Sequence, residues 1–203
     1  MAIIFAPHEL ALRSDDATWD RTKWEQLRSD GNRYEVIAGV LYMTTAPSPV
    51  HQWVLQQLHL LLHARLQATG WGFIFFAPIG VFMPGCDPVQ PDVIAIRIQD
   101  AHIIQPKGIE GVPALIVEVQ SSGNPGYDNR TKRAAYARAG VPEYWIVRPL
   151  TRDVLICSQP DPAQGDFGRS EIIGGDATLV AHTLPVQFTV ASLFAGIPPT
   201  ALS

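Results

Sequence analysis

The feature that most constrains the fold is a short run, ALIVEV at residues 114–119, which is apolar at every position except Glu118. Side chains of a strand alternate between two faces, so a strand that is apolar almost throughout is covered on both faces. The run therefore predicts a central strand in a sheet with other layers on each side. Burying an ionised carboxylate there is costly unless a cation, a donor or a bound proton compensates it. Glu118 therefore needs a structural or functional reason.

Other segments predict further strands. The stretch YEVIAGVLYMTT at 34–45 is typical of a β-hairpin that turns at Ala38-Gly39. Residues 71–85, WGFIFFAPIGVFMPG, predict two strands interrupted at Pro78 and Gly80. Additional strand-like runs lie at 92–96, 143–147 and 153–157.

Two segments predict helices. Residues 48–70 carry Ser48 as an N-cap and Gly70 as a terminator, and residues 129–139 have helical composition. A leucine stripe at three- and four-residue steps predicts the buried face of the longer helix: Leu55, Leu58, Leu62 and Leu66.

This order of elements predicts an α/β (α+β) fold with a mixed central β-sheet flanked by helices. We expect residues 1–30 to form a helical lead, with Asp15 or Asp16 as N-cap, and residues 31–203 to form a single domain with a β-rich C-terminal extension.

Composition excludes some functions. The 203-residue chain has a formal charge of −4, which argues against strong nonspecific binding to nucleic acid. Its two cysteines follow no metal or redox spacing, so we expect reduced thiols and a cytoplasmic protein. No segment predicts a membrane span.

A second apolar run begins with Pro91-Asp92. If its strand neighbours that of Glu118, two carboxylates meet at close range and cannot comfortably ionise together without a cation. Carboxylates with a backbone carbonyl, here that of Val119, and water form the oxygen-rich set that Mg²⁺ or Mn²⁺ accepts. Water on such an ion could attack a phosphodiester.

Several motifs occur in the order typical of one family: RYEVIAGVLYM, SPVHQWVLQQL, VQPDVIAI, PALIVEVQS and KRAAYARAGVPEYWIV. Over about residues 30–158 the chain resembles the Uma-two family of restriction-endonuclease-like proteins, within the PD-(D/E)xK nuclease superfamily. The resemblance implies a restriction-endonuclease-like fold, a Mg²⁺-dependent endonuclease acting on DNA, and a homodimer.

Carried over position by position, the resemblance implies that Asp92 and Glu118 are metal-binding acids and that Glu35 completes the site. The lysine usually found two residues after the second acid is replaced by Gln120. Lys132, on the following helix, matches the lysine thought to substitute for it in this family.

Each of these residues also has an ordinary structural interpretation. Asp92 could cap a turn after Pro91, and Glu118 could form a buried ion pair with Arg or Lys. Lys132 could form a solvated helix bridge with Asp128, four residues earlier. Glu35 has equally good structural and functional interpretations.

Five further residues are candidates for the site or for contacts with phosphate. His51 could cap its helix or point into the cleft, and Gln120 could orient a water or simply hydrogen-bond within the sheet. Three arginines could form either a solvated face or a phosphate-binding patch: Arg130, Arg133 and Arg138.

Two main functions follow. The first is a Mg²⁺-dependent endodeoxyribonuclease. The second, suggested by Gln120 and the acidic charge, is a catalytically silent nucleic-acid-binding or assembly module. Hydrolysis of another phosphate ester is a third possibility, because a metal site does not itself specify DNA.

Overall fold

A computed structural model describes residues 3–6, 9–27, 30–44, 46–121 and 126–198, with backbone alone for 3–6 and 9–12. Its helices are α1 (Arg21–Glu25), α2 (Pro49–Leu62) and α3 (Arg133–Ala139). Wider π-helical turns, His63–Gln67 and Tyr127–Lys132, follow α2 and precede α3, and 3-10 turns lie at Ile98–Ile103 and Val190–Leu193. The strands are β1 (Ile3–Ala6), β2 (Glu9–Ser14), β3 (Arg33–Ile37), β4 (Val40–Thr44), β5 (Gly72–Phe76), β6 (Val81–Met83), β7 (Cys86–Val89), β8 (Val93–Arg97), β9 (Ile104–Gln105), β10 (Gly108–Glu110), β11 (Leu115–Val119), β12 (Glu143–Arg148), β13 (Asp153–Asp161), β14 (Asp166–Gly174), β15 (Thr178–Val180) and β16 (Gln187–Thr189).

The central sheet has the strand order β14-β13-β12-β11-β8-β5. Strand β11 runs parallel to β12 and antiparallel to β8, so the sheet is mixed as predicted. Every residue of β11 is buried, which confirms that the ALIVEV run forms a central strand covered on both faces.

Each face of the central sheet packs against a different layer. On one face, α2 and the C-terminal segment containing β15 and β16 form an apolar cluster with residues such as Val117 and Trp145. On the other face, α3 and a second sheet cluster around residues such as Ile94 and Ile116. Within the described residues, that second sheet has the order β1-β2-β4-β3-β7-β6-β10-β9.

Local signals explain several elements. The β3–β4 hairpin turns through Ala38 and Gly39, both with positive φ, which is the backbone twist that a two-residue hairpin favours. Ser48 caps α2 by accepting a hydrogen bond from the His51 N–H. Gly140 ends α3 in the left-handed conformation, as its sequence position predicts.

The leucine stripe is confirmed with one exception. Leu58, Leu62 and Leu66 are fully buried, whereas Leu55 is only partly buried. Among the described residues, no helix combines the length and the apolarity that crossing a lipid bilayer requires.

The N-terminal region differs from the expected helical lead. Its helix is α1, which spans five residues and is capped by Asp20 rather than by Asp15 or Asp16. Strands β1 and β2 precede it, and β2 pairs with β4. Strands β1 and β2 therefore extend the second sheet, because β2 pairs with the edge of the β3–β4 hairpin.

Candidate active site

Strand register brings the two predicted acids together. In the antiparallel pair β8–β11, Val93 lies opposite Val117, so the next position places Asp92 opposite Glu118. Both carboxylates lie on the face toward α3 and the second sheet, where Ile94 and Ile116 also pack. Their exposures are 4% for Asp92 and 3% for Glu118, so both are buried.

Glu35 reaches the same cluster from strand β3. It is 1% exposed, and its Oε1 accepts a hydrogen bond from the Gln90 N–H at 2.6 Å. Its Oε2 accepts one from the Tyr127 hydroxyl at 3.0 Å and lies 3.1 Å from the Lys132 ammonium. The chain thus places a third acid beside the pair, as the resemblance implies.

Lys132 lies between two of these carboxylates. Its Nζ is 2.9 Å from Glu118 Oε1 and 3.1 Å from Glu35 Oε2, and the side chain is buried. The Tyr136 hydroxyl also donates to Glu118 Oε1, at 2.8 Å. The interpretation of Lys132 as a solvated bridge to Asp128 is therefore wrong, because a solvated residue could not be this enclosed. The interpretation of Glu118 as a partner in a buried ion pair is correct, and Lys132 is the cation.

Asp92 is held from two sides. Its Oδ2 accepts the Val119 N–H at 2.8 Å and contacts His51 Nε2 at 3.0 Å, while Arg33 Nη1 lies 3.6 Å from Oδ1. Asp92 therefore bridges neighbouring strands rather than capping a local turn. The ring of His51 points into the cluster. Its backbone N–H donates to the Ser48 hydroxyl, which caps the N-terminus of α2.

Burial and mutual repulsion shift the protonation of the cluster. Burial raises the pKa of Glu118 to about 7, and the charges of Asp92 and Glu35 add to this effect while Lys132 opposes it. Burial also raises the pKa of Asp128 well above its ordinary value, with the same acids adding. The cluster therefore holds more acidic groups than its cations neutralise.

At Lys132 and Asp92, attraction between opposite charges outweighs the effect of burial on the pKa. Burial alone would lower the pKa of Lys132, but the charges of Glu118, Glu35 and two further acids outweigh it and raise that pKa. Burial likewise would raise the pKa of Asp92, yet its bond to His51 and the nearby positive charges bring it below the ordinary value. Lys132 therefore stays charged and Asp92 ionised.

The other predicted site residues lie outside this cluster or at its edge. Gln120 is half-buried and its N–H donates to the Val147 carbonyl, which continues the β11–β12 pairing. Arg133 pairs with Asp166 at 2.6 Å. The patch residues Arg130 and Arg138 are exposed.

Sequence reasoning missed several residues of the cluster. Arg33 could have been found from strand alternation, since it lies two positions before Glu35 and so shares its face. Asp128 was considered only as a surface partner of Lys132. No local pattern indicates the long-range contacts of the remaining members: Gln90, Tyr127 and Tyr136.

The donor set fits a hard divalent cation. The carboxylates of Asp92 and Glu118, together with the Val119 carbonyl, would supply oxygen ligands, and the excess of acids would be relieved by a cation. Within the described residues, no group of three acidic, His or Cys side chains is already arranged as a metal site. The structure places Lys132 beside Glu35 and Glu118, and Arg33 beside Asp92.

Comparison with known proteins identifies the family. Residues 21–193 match the family model described as "Uma2: Putative restriction endonuclease". A crystal structure described as that of "a putative nuclease belonging to DUF820 from Anabaena variabilis ATCC 29413" is similar in fold. Its TM-score is 0.72 at 13% sequence identity, over 91% of this chain and 99% of that chain. A search of curated proteins found no match.

The family model and the mixed α+β architecture agree with the motifs and the buried acids. The chain belongs to the Uma2 family.

Proposed function

We propose that this protein is a Mg²⁺- or Mn²⁺-dependent endonuclease that hydrolyses phosphodiester bonds of DNA. The observation that carries the proposal is the convergence of Glu35, Asp92, Glu118 and Lys132 in one buried cluster. Membership of a family described as restriction endonucleases supports a nuclease. A cytoplasmic location and a homodimer belong to the same proposal.

Each residue has a distinct part in the proposed reaction. Asp92, Glu118 and the Val119 carbonyl would hold the ion, which when bound polarises phosphate oxygens and activates water. Glu35 holds the Lys132 ammonium beside Glu118, and that ammonium stabilises negative charge as it develops on the phosphate. Gln120 has no basic group, so at most it orients a water by hydrogen bonding.

Cleavage of supercoiled plasmid in Mg²⁺ or Mn²⁺ tests the proposal. We expect Asp92→Asn and Glu118→Gln each to lower cleavage by at least about a hundredfold, because each removes a charge that would hold the metal ion. Glu171→Gln, at an exposed acid of β14, is the matched control and should cleave as the wild type does. Activity that persists in both site variants would indicate a contaminating nuclease and defeat the proposal.

A catalytically silent nucleic-acid-binding module is the second candidate. The observation that favours it is the position of Lys132, whose ammonium already pairs with both Glu35 and Glu118, together with Gln120 where the superfamily has lysine. Titration calorimetry with Mn²⁺ separates the two candidates. Binding that is lost in Asp92→Asn supports the nuclease, whereas no binding at millimolar Mn²⁺ supports the silent module.

A further inference from the structure

Two buried polar atoms at the site lack partners. In the described part of the chain, the buried side-chain nitrogen or oxygen atoms without a hydrogen bond are Arg33 Nε and His51 Nδ1. Both residues contact Asp92. Buried unpaired polar groups are rare and costly in folded proteins, so their concentration around one carboxylate indicates groups that another molecule can engage.

Arg33 contacts Asp92 more loosely than His51 does. The contact from His51 Nε2 to Asp92 is 3.0 Å, a normal hydrogen bond, whereas Arg33 Nη1 lies 3.6 Å from the other oxygen of Asp92. The Arg33 side chain is 26% exposed, compared with 6% for Asp92 and 4% for Lys132. Arg33 is therefore more accessible to solvent, and to a substrate, than Lys132.

The backbone fixes where Arg33 lies. Arg33 and Glu35 occupy alternate positions of β3 and so share the face that meets Asp92. The Gln90 carbonyl accepts from Arg33 Nη2, and the Gln90 N–H donates to Glu35. Gln90, two residues before Asp92, thus ties the strand that carries Arg33 to the segment that carries the acid.

We propose that Arg33 is a positioning residue that binds the phosphate backbone of the DNA substrate. This inference rests on the proposed function. In the ion-free protein Arg33 serves as a counterion of Asp92. A divalent cation on Asp92 would repel the guanidinium, which then turns to a phosphate next to the metal site. The planar guanidinium can donate two parallel hydrogen bonds to a phosphate, whereas it makes one loose contact with Asp92.

Loss of Arg33 therefore has opposite effects on two ligands. Without a competing cation beside Asp92, Mn²⁺ binds at least as tightly as in the wild type. Without its phosphate contact, DNA binds more weakly, by about tenfold or more. The slope of log affinity against log salt concentration also becomes shallower by about one phosphate contact. A purely structural role predicts losses in both affinities together.

The test compares Arg33→Met and Arg33→Lys with the control Arg169→Met. Arg169 lies on β14, is about half exposed, and its replacement changes the net charge by the same amount. Mn²⁺ affinity is measured by calorimetry without DNA. Affinity for a labelled duplex is measured by fluorescence anisotropy over a salt series, with Ca²⁺ in place of Mg²⁺. Circular dichroism confirms that each variant folds.

We expect Arg33→Met to bind Mn²⁺ no more weakly and DNA about tenfold more weakly, with Arg169→Met close to the wild type. Arg33→Lys keeps the charge but loses the planar guanidinium, so its DNA affinity should fall while its salt slope is preserved. That variant carries the test if Arg33→Met does not fold.

Two contrary results have different meanings. Wild-type protein that binds and cleaves DNA, with Arg33 variants that bind it equally well at an unchanged salt slope, overturns the role of Arg33 alone. Wild-type protein that neither binds nor cleaves DNA in any divalent ion overturns the proposed nuclease, and the role of Arg33 with it.

Discussion

Glu118 and Glu143 lie on neighbouring parallel strands, and both are buried, with exposures of 3% and 0%. They lie at opposite ends of these strands and face opposite sides of the sheet. Glu118 faces the cluster with α3, and Glu143 faces the cluster with Trp145 and α2. The same residue type in the same sheet therefore occupies two different environments.

Neutral donors surround Glu143. Its Oε1 accepts from Trp145 Nε1 at 2.7 Å, and the backbone N–H groups of His182 and Thr183 donate to its carboxylate at 3.1 Å or less. The Thr183 hydroxyl adds a further bond at 2.8 Å. All of these partners are uncharged, and together they anchor the segment that follows β15.

Charged and unpaired groups surround Glu118 instead. It meets the Lys132 ammonium and shares its neighbourhood with Asp92 and Glu35. Unpartnered polar atoms lie around the adjacent Asp92. The difference teaches that burial alone does not identify a functional acid. A buried carboxylate whose acceptor sites are filled by neutral donors stabilises the fold. A buried carboxylate that lies among other unneutralised acids is a candidate for binding a cation or a substrate.

The largest expected effect is on folding, at Glu143. We expect Glu143→Ala to lower the free energy of unfolding by about 3–5 kcal/mol, because it leaves the buried Trp145 indole N–H and the partly buried N–H groups of His182 and Thr183 without their acceptor. Urea unfolding measures the loss. The control Glu171→Ala, at a carboxylate that is about half exposed, should stay within about 0.5 kcal/mol of the wild type. A Glu143→Ala protein as stable as that control would show that the carboxylate does not anchor this segment.

The sequence predicted the acids at the core of the site but not their surroundings. Asp92 and Glu118 could be paired because strand alternation and a neighbouring apolar run fix which side chains face each other. The role of Lys132 was predicted from the family motif. Its contact with Glu35 could not be derived, because it depends on how the second sheet packs over the first.

The fold could likewise be predicted where local sequence signals determine an element, and not where it depends on long-range pairing. Hairpin, caps and central strand follow from local signals such as Ser48 and Gly140. The pairing of β2 with β4 was missed because a short polar segment with helical composition dominates that part of the sequence. Glu143 was also missed as a structural acid, since its partners lie about forty residues away in the chain.

An effect of intermediate size should appear in the pH dependence of stability, through Glu118. The pKa of Glu118 is about 7 in the folded protein and ordinarily 4.5, so between these values the folded state binds the proton more tightly than the unfolded state. The free energy of unfolding therefore falls as pH rises through that window, by on the order of 1–3 kcal/mol. Glu118→Gln carries no such proton and should show a flatter profile.

Urea unfolding of the wild type and of Glu118→Gln at several pH values measures this difference. Across the window the stability of Glu118→Gln should change less than that of the wild type, although the substitution also removes one of the two carboxylates that pair with the buried Lys132 ammonium. Parallel profiles for the two proteins would show that Glu118 does not titrate in this range.

The smallest expected effect compares one hydroxyl on each side of the sheet. Tyr136→Phe removes the hydroxyl that donates to Glu118, and Thr183→Val removes one that donates to Glu143. Each should cost about 0.5–1.5 kcal/mol. The Tyr136 hydroxyl donates to Glu118 and so favours its charged form. Because burial raises the pKa of Glu118 to about 7, the cost of removing this hydroxyl should be larger at about pH 8 than at about pH 5. Urea unfolding of the wild type and of both variants measures these costs at the two pH values. A cost of Tyr136→Phe that does not change with pH would show that its hydroxyl does not stabilise the charged carboxylate of Glu118.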